Sequence, residues 1–81
     1  MRDYKGYSDK EISDAIDHWV VGRFAERNRI ILKLRLVHGY SYDHIADWLK
    51  QNDDIRDEYK IEPKQISRVI GEWEMIIFSH I

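Results

Sequence analysis

Helix-boundary signals constrain the fold of this chain more than any other feature of its sequence. Ser8 and Glu11 form a Ser-x-x-Glu pattern, which is typical of the first turn of a helix. Gly39 supplies a left-handed helix stop, and Ser41 directly after it can cap a further helix. Pro63 suits the first position of a helix, where its missing amide would have no partner anyway. These signals predict four main helices.

Apolar residues recur three and four positions apart in each segment, which is the spacing of one helical face. No segment shows strand-like alternation, and none repeats another. The predicted inward-facing residues are Ile12, Ala15, Ile16, Trp19, Val20, Ile31, Leu34, Ile45, Ala46, Leu49, Ile66, Val69, Ile70, Trp73 and Ile77. We therefore predict an all-α fold, a small helical bundle of four main helices that forms a single domain over residues 1–81.

The segments between the predicted helices differ in character. Residues 1–7 form an N-terminal arm, which is either loose or held against the body by Tyr4 and Tyr7. Gly22 marks a bend or the end of the first helix, and the second runs from about Ala25 or Asn28 to Val37. Residues 51–60 are rich in charge and have only two apolar anchors, Ile55 and Tyr59, which predicts an acidic loop with at most one helical turn.

Composition excludes several classes of protein. The chain has 81 residues and no cysteine, which excludes disulfides and thiolate metal sites and favours a reducing, cytoplasmic location. No apolar run approaches the roughly 18 residues of a membrane span, and the N-terminal residues lack the apolar stretch of a signal peptide. His18, His38, His44 and His80 lack partners at ligand spacing. We expect no cofactor, no metal and no membrane contact, and the chain shows no motif of an enzyme.

Charge is balanced overall but unevenly distributed. The formal net charge is −2, whereas DNA-binding domains usually carry an excess of basic residues. Residues 25–40 nevertheless have a net charge of +3, and residues 41–60 have a net charge of −3. The positive block coincides with the second predicted helix, so a local nucleic-acid contact remains compatible with the composition.

The helix that begins at Pro63 carries the most suggestive polar side chains. Lys64, Gln65, Ser67 and Arg68 lie opposite its apolar stripe. Gln can bond an adenine and Arg a guanine through two hydrogen bonds, while Lys and Ser suit phosphates. An ordinary solvated helix face is the alternative for these residues considered alone. However, the predicted elements follow the order of a helix-turn-helix DNA-binding unit, namely a helix, a glycine stop, a capped short helix and a helix that begins with proline.

This pattern resembles the second half of region 4 of bacterial sigma factors, especially the small sigma-region-4-like proteins of phages and prophages. The similarity covers roughly 60 of the 81 residues. The matching segments are Ala15–Trp19, Gly22–Arg23, Ala25–Arg29, Leu36–Tyr42, Ile45–Ala46, Ile61 and Gln65–Arg68. The resemblance implies a DNA-binding transcriptional regulator whose helix from Pro63 enters the major groove, with Ser41 and Tyr42 near the phosphate backbone. In that family a short turn joins the two helices, whereas this chain inserts largely acidic residues between Trp48 and Lys60.

The second helix offers further phosphate contacts. Arg29 and Lys33 are four residues apart and therefore share one helical face. They are predicted to contact the DNA backbone. The alternative is internal ion pairing with Glu26 or with the acidic residues of the first helix.

The end of the chain is more apolar than a monomer of this size needs. Met75, Ile76, Phe78 and Ile81 occupy more than one side of the last helix. We expect a homodimer contact there, because twofold helix-turn-helix dimers match twofold DNA sites.

A second function fits the acidic loop. Asp53, Asp54, Asp57 and Glu58 would suit a basic, nucleic-acid-binding groove on a host protein. In this alternative the chain is a protein-interaction module or inhibitor, for example of a host nuclease such as a CRISPR effector, or of RNA polymerase. The net negative charge and the insertion both favour it.

Overall fold

The computed structural model describes residues 6–81 of the chain. The α-helices are α1 (Asp9–Trp19), α2 (Ala25–Leu36), α3 (Tyr42–Gln51) and α4 (Pro63–Ser79), and a short 3₁₀ turn spans Asp57–Tyr59. No strand occurs within the described residues. The predicted all-α bundle of four main helices is confirmed. Tyr4, half of the predicted N-terminal anchor, lies outside the described residues.

The helices begin at the residues that the sequence predicts, whereas α1 ends at Trp19, three residues before the predicted bend or end at Gly22. The Ser8 hydroxyl accepts a hydrogen bond from the Glu11 amide at 3.1 Å, and the Glu11 carboxylate accepts from the Ser8 amide at 3.0 Å. This reciprocal pair satisfies two donors that the first turn of α1 would otherwise leave open. The Ser41 hydroxyl caps α3 by accepting from the His44 amide at 3.1 Å. Gly39, with φ of +73°, lies in the left-handed region after α2.

Helix α4 lies at the centre of the packing, since it contacts α1, α2 and α3. Helix α2 also contacts α1 and α3, so it too is enclosed on several sides. The fully buried side chains come from all four helices and from the segment after α1: Ile12, Ile16, Val20, Ile31, Leu32, Leu36, Ile45, Leu49, Ile66, Ile70 and Ile77. All three α4 residues in this set lie on the predicted stripe. The core therefore fixes the rotation of α4 about its axis and turns the opposite face outward.

One expectation about burial is wrong. Trp19 was expected in the core, yet it is 38% exposed and its ring stacks on His80 with centroids 3.9 Å apart. The reason is its place as the last residue of α1, beyond which Val20 turns to an extended conformation and enters the core instead. The four basic residues of α2 are half-buried, because α2 packs against three helices: Arg27, Arg29, Lys33 and Arg35.

The acidic connection between α3 and α4 is shorter than the predicted insertion, because Trp48–Gln51 form the last turn of α3. Ile55 packs against the core and Tyr59 is buried, so both predicted anchors are confirmed. The Lys50 ammonium lies 3.1 Å from the Glu62 carboxylate and ties the two ends of the connection together. The connection is therefore a closed, anchored loop.

The visible part of the N-terminal arm contacts the end of the chain. The Tyr7 ring lies 5.6 Å from the Phe78 ring, centroid to centroid, in a tilted arrangement. This contact matches the predicted alternative in which Tyr7 holds the arm against the body of the protein. Among the described residues, no helix is both long and apolar enough to cross a membrane.

Candidate nucleic-acid interface

The first two turns of α4 present a polar face to solvent. Lys64, Gln65, Ser67 and Arg68 are all exposed, as the sequence predicts. Ile66 is fully buried on the opposite side of the same turns. Pro63 starts the helix, and the Gln65 side-chain oxygen accepts from the Glu62 amide at 3.1 Å. This bond orients the Gln65 amide and leaves its NH₂ group available to a ligand.

One flank of this face meets the start of α3. A cleft of about 440 Å³, here called the serine cleft, is lined by Ser41, Tyr42, Asp43, Pro63, Lys64 and Ser67. The structure therefore brings Ser41 and Tyr42 beside two of the predicted DNA-contacting residues of α4. Such an arrangement suits a helix-turn-helix, in which the first helix meets the phosphate backbone beside the groove that the second helix enters.

Ser41 and Tyr42 are held by neighbouring groups. The Ser41 hydroxyl accepts from the backbone at α3, but its proton can still be donated to a phosphate oxygen. The Arg35 guanidinium lies 4.6 Å from the centroid of the half-buried Tyr42 ring. Arg35 also donates to the Tyr40 carbonyl at 3.0 Å and thereby fixes the turn before α3. Asp43 offsets the charge of Lys64 in this cleft, so the serine cleft is not strongly basic.

The other flank of α4 meets the start of α2 and carries more positive charge. A cleft of about 320 Å³, here called the arginine cleft, lies between these two helices. Arg23, Arg27 and Arg68 line it together with Gln65 and one carboxylate, Glu72. Positive charge therefore exceeds negative charge in this cleft.

Arg23 and Arg27 are site residues that sequence analysis missed. They lie four positions apart, with Arg23 in the turn before α2 and Arg27 in the first turn of the helix. The sequence shows this four-residue spacing, but it shows the same spacing for Arg29 and Lys33, which were predicted as the phosphate contacts. Only the packing of α2 on α4 distinguishes the two pairs.

Arg29 and Lys33 lie elsewhere. Neither lines the serine cleft or the arginine cleft. The Lys33 ammonium pairs with the Asp17 carboxylate of α1 at 2.8 Å. The Nε atom of Arg29 is buried and has no hydrogen-bond partner among residues 6–81. The structure therefore does not bring these two residues together with the polar face of α4.

The remaining predicted site residues lie on two separate surfaces. Met75 is 78% exposed and Ile76 is 39% exposed, whereas Phe78 and Ile81 pack against the core. On the acidic loop, Asp57 pairs with Lys60 at 3.2 Å and Glu58 with Arg56 at 3.4 Å. Asp53 and Asp54 are exposed beside Trp48 in a shallow cleft.

The histidines do not assemble into a metal site. Within residues 6–81 no group of three His, Cys, Asp or Glu side chains is arranged to hold a metal ion. The His44 ring instead stacks on Tyr40 at 3.8 Å between centroids, and His80 stacks on Trp19.

Comparison with known proteins adds no relative. No family model, curated protein or solved structure matches the chain. A function for the protein therefore depends on the chemistry and geometry of its own residues.

Proposed function

We propose that the chain is a DNA-binding transcriptional regulator of the helix-turn-helix type, in which α4 enters the major groove of double-stranded DNA. The observation that carries this proposal is the position of the exposed polar face of α4 between the serine cleft and the arginine cleft. A helix face that contacts bases needs phosphate contacts on both sides to fix its register on the duplex. Both flanks of α4 offer donors for such contacts.

Within this proposal each exposed residue of α4 has a role set by its chemistry. Arg68 can donate two hydrogen bonds to a guanine, and the free NH₂ group of Gln65 can donate to a base acceptor. Lys64 and Ser67 line the serine cleft and suit the phosphate on that side. Ser41 and Tyr42 complete that contact. Arg29 and Lys33 have no part in it, because they face other elements of the fold.

The resemblance to sigma-region-4-like proteins supports the regulatory part of the proposal and favours a phage or mobile-element origin. It rests on the residues that open α2, on the turn Gly39–Tyr42 and on Gln65–Arg68. The structure places Ser41 and Tyr42 of that turn beside α4. A cytoplasmic location belongs to the same proposal, since that is where the DNA target would be.

A second copy of the chain belongs to the proposal as well. Met75 and Ile76 leave apolar area exposed at the end of α4, remote along the helix from Lys64. Twofold pairing through this end would present two α4 helices to a twofold DNA site. Phe78 and Ile81 contribute less to such a contact, because they already pack within the monomer.

The experiment that tests DNA binding is fluorescence anisotropy of a labelled random-sequence duplex, titrated with the protein at about 50 and 200 mM salt. We expect binding that weakens steeply between the two salt concentrations, because released counterions report phosphate contacts. Selection of a specific site then follows. Absence of binding at tens of micromolar protein in the lower salt would overturn the proposal.

A protein partner is the second candidate function, and the closed acidic loop favours it. The loop is anchored by Tyr59 and by the Lys50–Glu62 ion pair, and it holds Asp53 and Asp54 exposed beside Trp48. Such a surface suits the basic groove of a nucleic-acid-binding host protein. A pull-down from host lysate with wild-type protein and an Asp53→Lys/Asp54→Lys variant tests it. Loss of a specific partner in the folded variant supports this function, and unchanged capture contradicts it.

A further inference from the structure

The arginine cleft has the features of a phosphate site. Its arginines come from two helices and from the link before α2, so only the tertiary structure brings them together. No carboxylate lies within ion-pair distance of Arg23, Arg27 or Arg68 among residues 6–81, although Glu72 also lines the cleft. Guanidinium groups without a bound carboxylate retain donors for another anion.

Phe24 arranges two of these guanidinium groups. The Arg27 guanidinium carbon lies 4.3 Å from the Phe24 ring centroid, and that of Arg23 lies 5.3 Å from it. Contact with an aromatic ring uses the face of a guanidinium, whereas its N–H groups lie in its plane. The arrangement therefore holds both groups in place without consuming the donors that a phosphate needs.

Asn28 adds a second constraint on Arg27. Its side-chain oxygen accepts from the Arg27 Nε–H at 3.0 Å, and Asn28 is only 8% exposed. Asn28 is the one buried polar residue of the described chain, and this bond satisfies its oxygen. The terminal nitrogens of Arg27 are left for a ligand. Fixing the side chain before binding lowers the entropy that binding would cost.

The desolvation of Arg27 and the start of α2 favour an anion in this cleft, whereas the Glu72 carboxylate opposes one. Partial burial lowers the pKa of Arg27 from its ordinary value, while nearby Tyr59 and Glu72 act in the opposite direction. Arg27 remains charged at neutral pH but is partly stripped of water. The first turn of α2 lines the same cleft, and its N-cap residue Phe24 provides no side-chain acceptor. The helix dipole therefore adds positive potential there.

We infer that the arginine cleft binds a phosphate group of the DNA backbone, on the side of α4 opposite the serine cleft. Arg23 and Arg27 hold this phosphate, and Arg68 at the edge of the cleft lies between it and the bases. This inference deepens the proposed function and rests on it for the source of the phosphate. It also assigns the DNA-backbone contact that was predicted for Arg29 and Lys33 to the residues at the start of α2.

Two measurements test the inference, and the second of them does not depend on DNA binding. The first is duplex affinity against salt concentration for Arg23→Gln, Arg27→Gln and the double variant, with Arg56→Gln as matched control. Arg56 is an exposed arginine on the acidic loop, so its loss removes the same charge from another surface. We expect each cleft variant to reduce the salt slope by about one, and Arg56→Gln to change it much less. Thermal melts followed by circular dichroism check that each variant is folded.

The second measurement uses the wild-type protein with inorganic pyrophosphate, followed by NMR. We expect shifts of the Arg23 and Arg27 Nε–H signals and of the Trp73 indole N–H, since Trp73 also lines the cleft. The Arg56 signal should stay in place. This arm does not depend on any variant folding correctly.

The outcomes separate the two hypotheses. The inference is overturned if the cleft variants bind duplex as tightly as Arg56→Gln does, while Lys64→Gln weakens binding. That outcome leaves the proposed function standing. If pyrophosphate shifts the cleft signals but the protein binds no duplex, DNA is not the source of the phosphate and the proposed function is overturned. The cleft is then still a phosphate site. Absence of both effects overturns both hypotheses. Loss of salt slope in the cleft variants together with the pyrophosphate shifts supports both.

Discussion

The Lys33 ammonium lies 2.8 Å from the Asp17 carboxylate and joins α2 to α1. The side chains are 34% and 54% exposed, so the pair is partly solvated and contributes on the order of 0.5 kcal/mol to the free energy of unfolding. Its main consequence concerns binding. The Asp17 carboxylate neutralises the positive charge of Lys33, which the sequence alone predicts to contact DNA. The pair lies on a surface outside both clefts beside α4.

Lys33→Ala therefore tests the placement of α2. We expect little change in duplex affinity and in its salt dependence, because Asp17 already neutralises Lys33. Arg27→Gln provides the comparison, since Arg27 lies on another side of the helix and lines the arginine cleft. Anisotropy titrations at about 50 and 200 mM salt measure both variants. Equal losses in the two variants would contradict the assignment of the backbone contact to Arg27 instead of Lys33.

Arg68→Ala tests the contact of α4 with bases. We expect a loss of about 1 to 3 kcal/mol in binding free energy for the selected site and a smaller loss for random sequence, because a base contact is sequence-specific. Arg56→Ala is the control for removal of one positive charge. Competition titrations with specific and random duplexes measure the difference. An equal loss on both duplexes would place Arg68 on the backbone only.

Ser8→Ala tests the capping box of α1. The substitution removes an acceptor of the Glu11 amide, and we expect the free energy of unfolding to fall by about 1 kcal/mol. Ser67→Ala is the matched control, because Ser67 is exposed on α4 and caps no helix. Urea unfolding measures the stability of both variants, and only Ser8→Ala should lower it. DNA titration measures binding, and only Ser67→Ala should weaken it. A stability loss at Ser67 as large as that at Ser8 would contradict the assigned roles.

Met75→Glu tests the dimer. Met75 is 78% exposed, so we expect a stable monomer whose unfolding free energy is close to that of the wild type. Self-association should be lost, because the substitution places a charge in an apolar contact. Sedimentation equilibrium measures the mass, with Val21→Glu as an exposed apolar control on another surface. A wild-type mass of 9.8 kDa at high micromolar concentration would refute the dimer.

Asp53→Asn/Asp54→Asn distinguishes the two proposed functions. In a DNA-binding protein, removal of these exposed carboxylates raises duplex affinity, more at low salt than at high salt. Asp47→Asn on the exposed side of α3 is the control for loss of a carboxylate from another surface, and it removes one charge where the test variant removes two. In a protein-interaction module the same variant loses its partner instead. The two binding assays on one variant therefore give opposite results for the two functions.

Local signals along the chain determined the helices. Ser8, Ser41 and Pro63 mark helix starts because each satisfies, or lacks, a backbone group at that position. Gly39 marks a helix end because it adopts the left-handed conformation without the penalty of a Cβ atom, and all these effects act within one helical turn. The spacing of Ile66, Val69, Ile70 and Ile77 likewise predicted which side of α4 is buried. The exposed residues Lys64, Gln65, Ser67 and Arg68 followed from the same periodicity.

Tertiary packing decided what periodicity leaves open. Helix α2 carries apolar residues on more than one side, so its sequence does not determine which basic residues meet α4 and which meet α1. Contacts among the helices decided that Arg23 and Arg27 line a cleft with Arg68, whereas Lys33 pairs with Asp17. They also left Trp19 at the edge of the bundle, where α1 ends and Val20 enters the core. Helix ends depend on neighbouring residues, but the partner of each helical face depends on how the helices pack together.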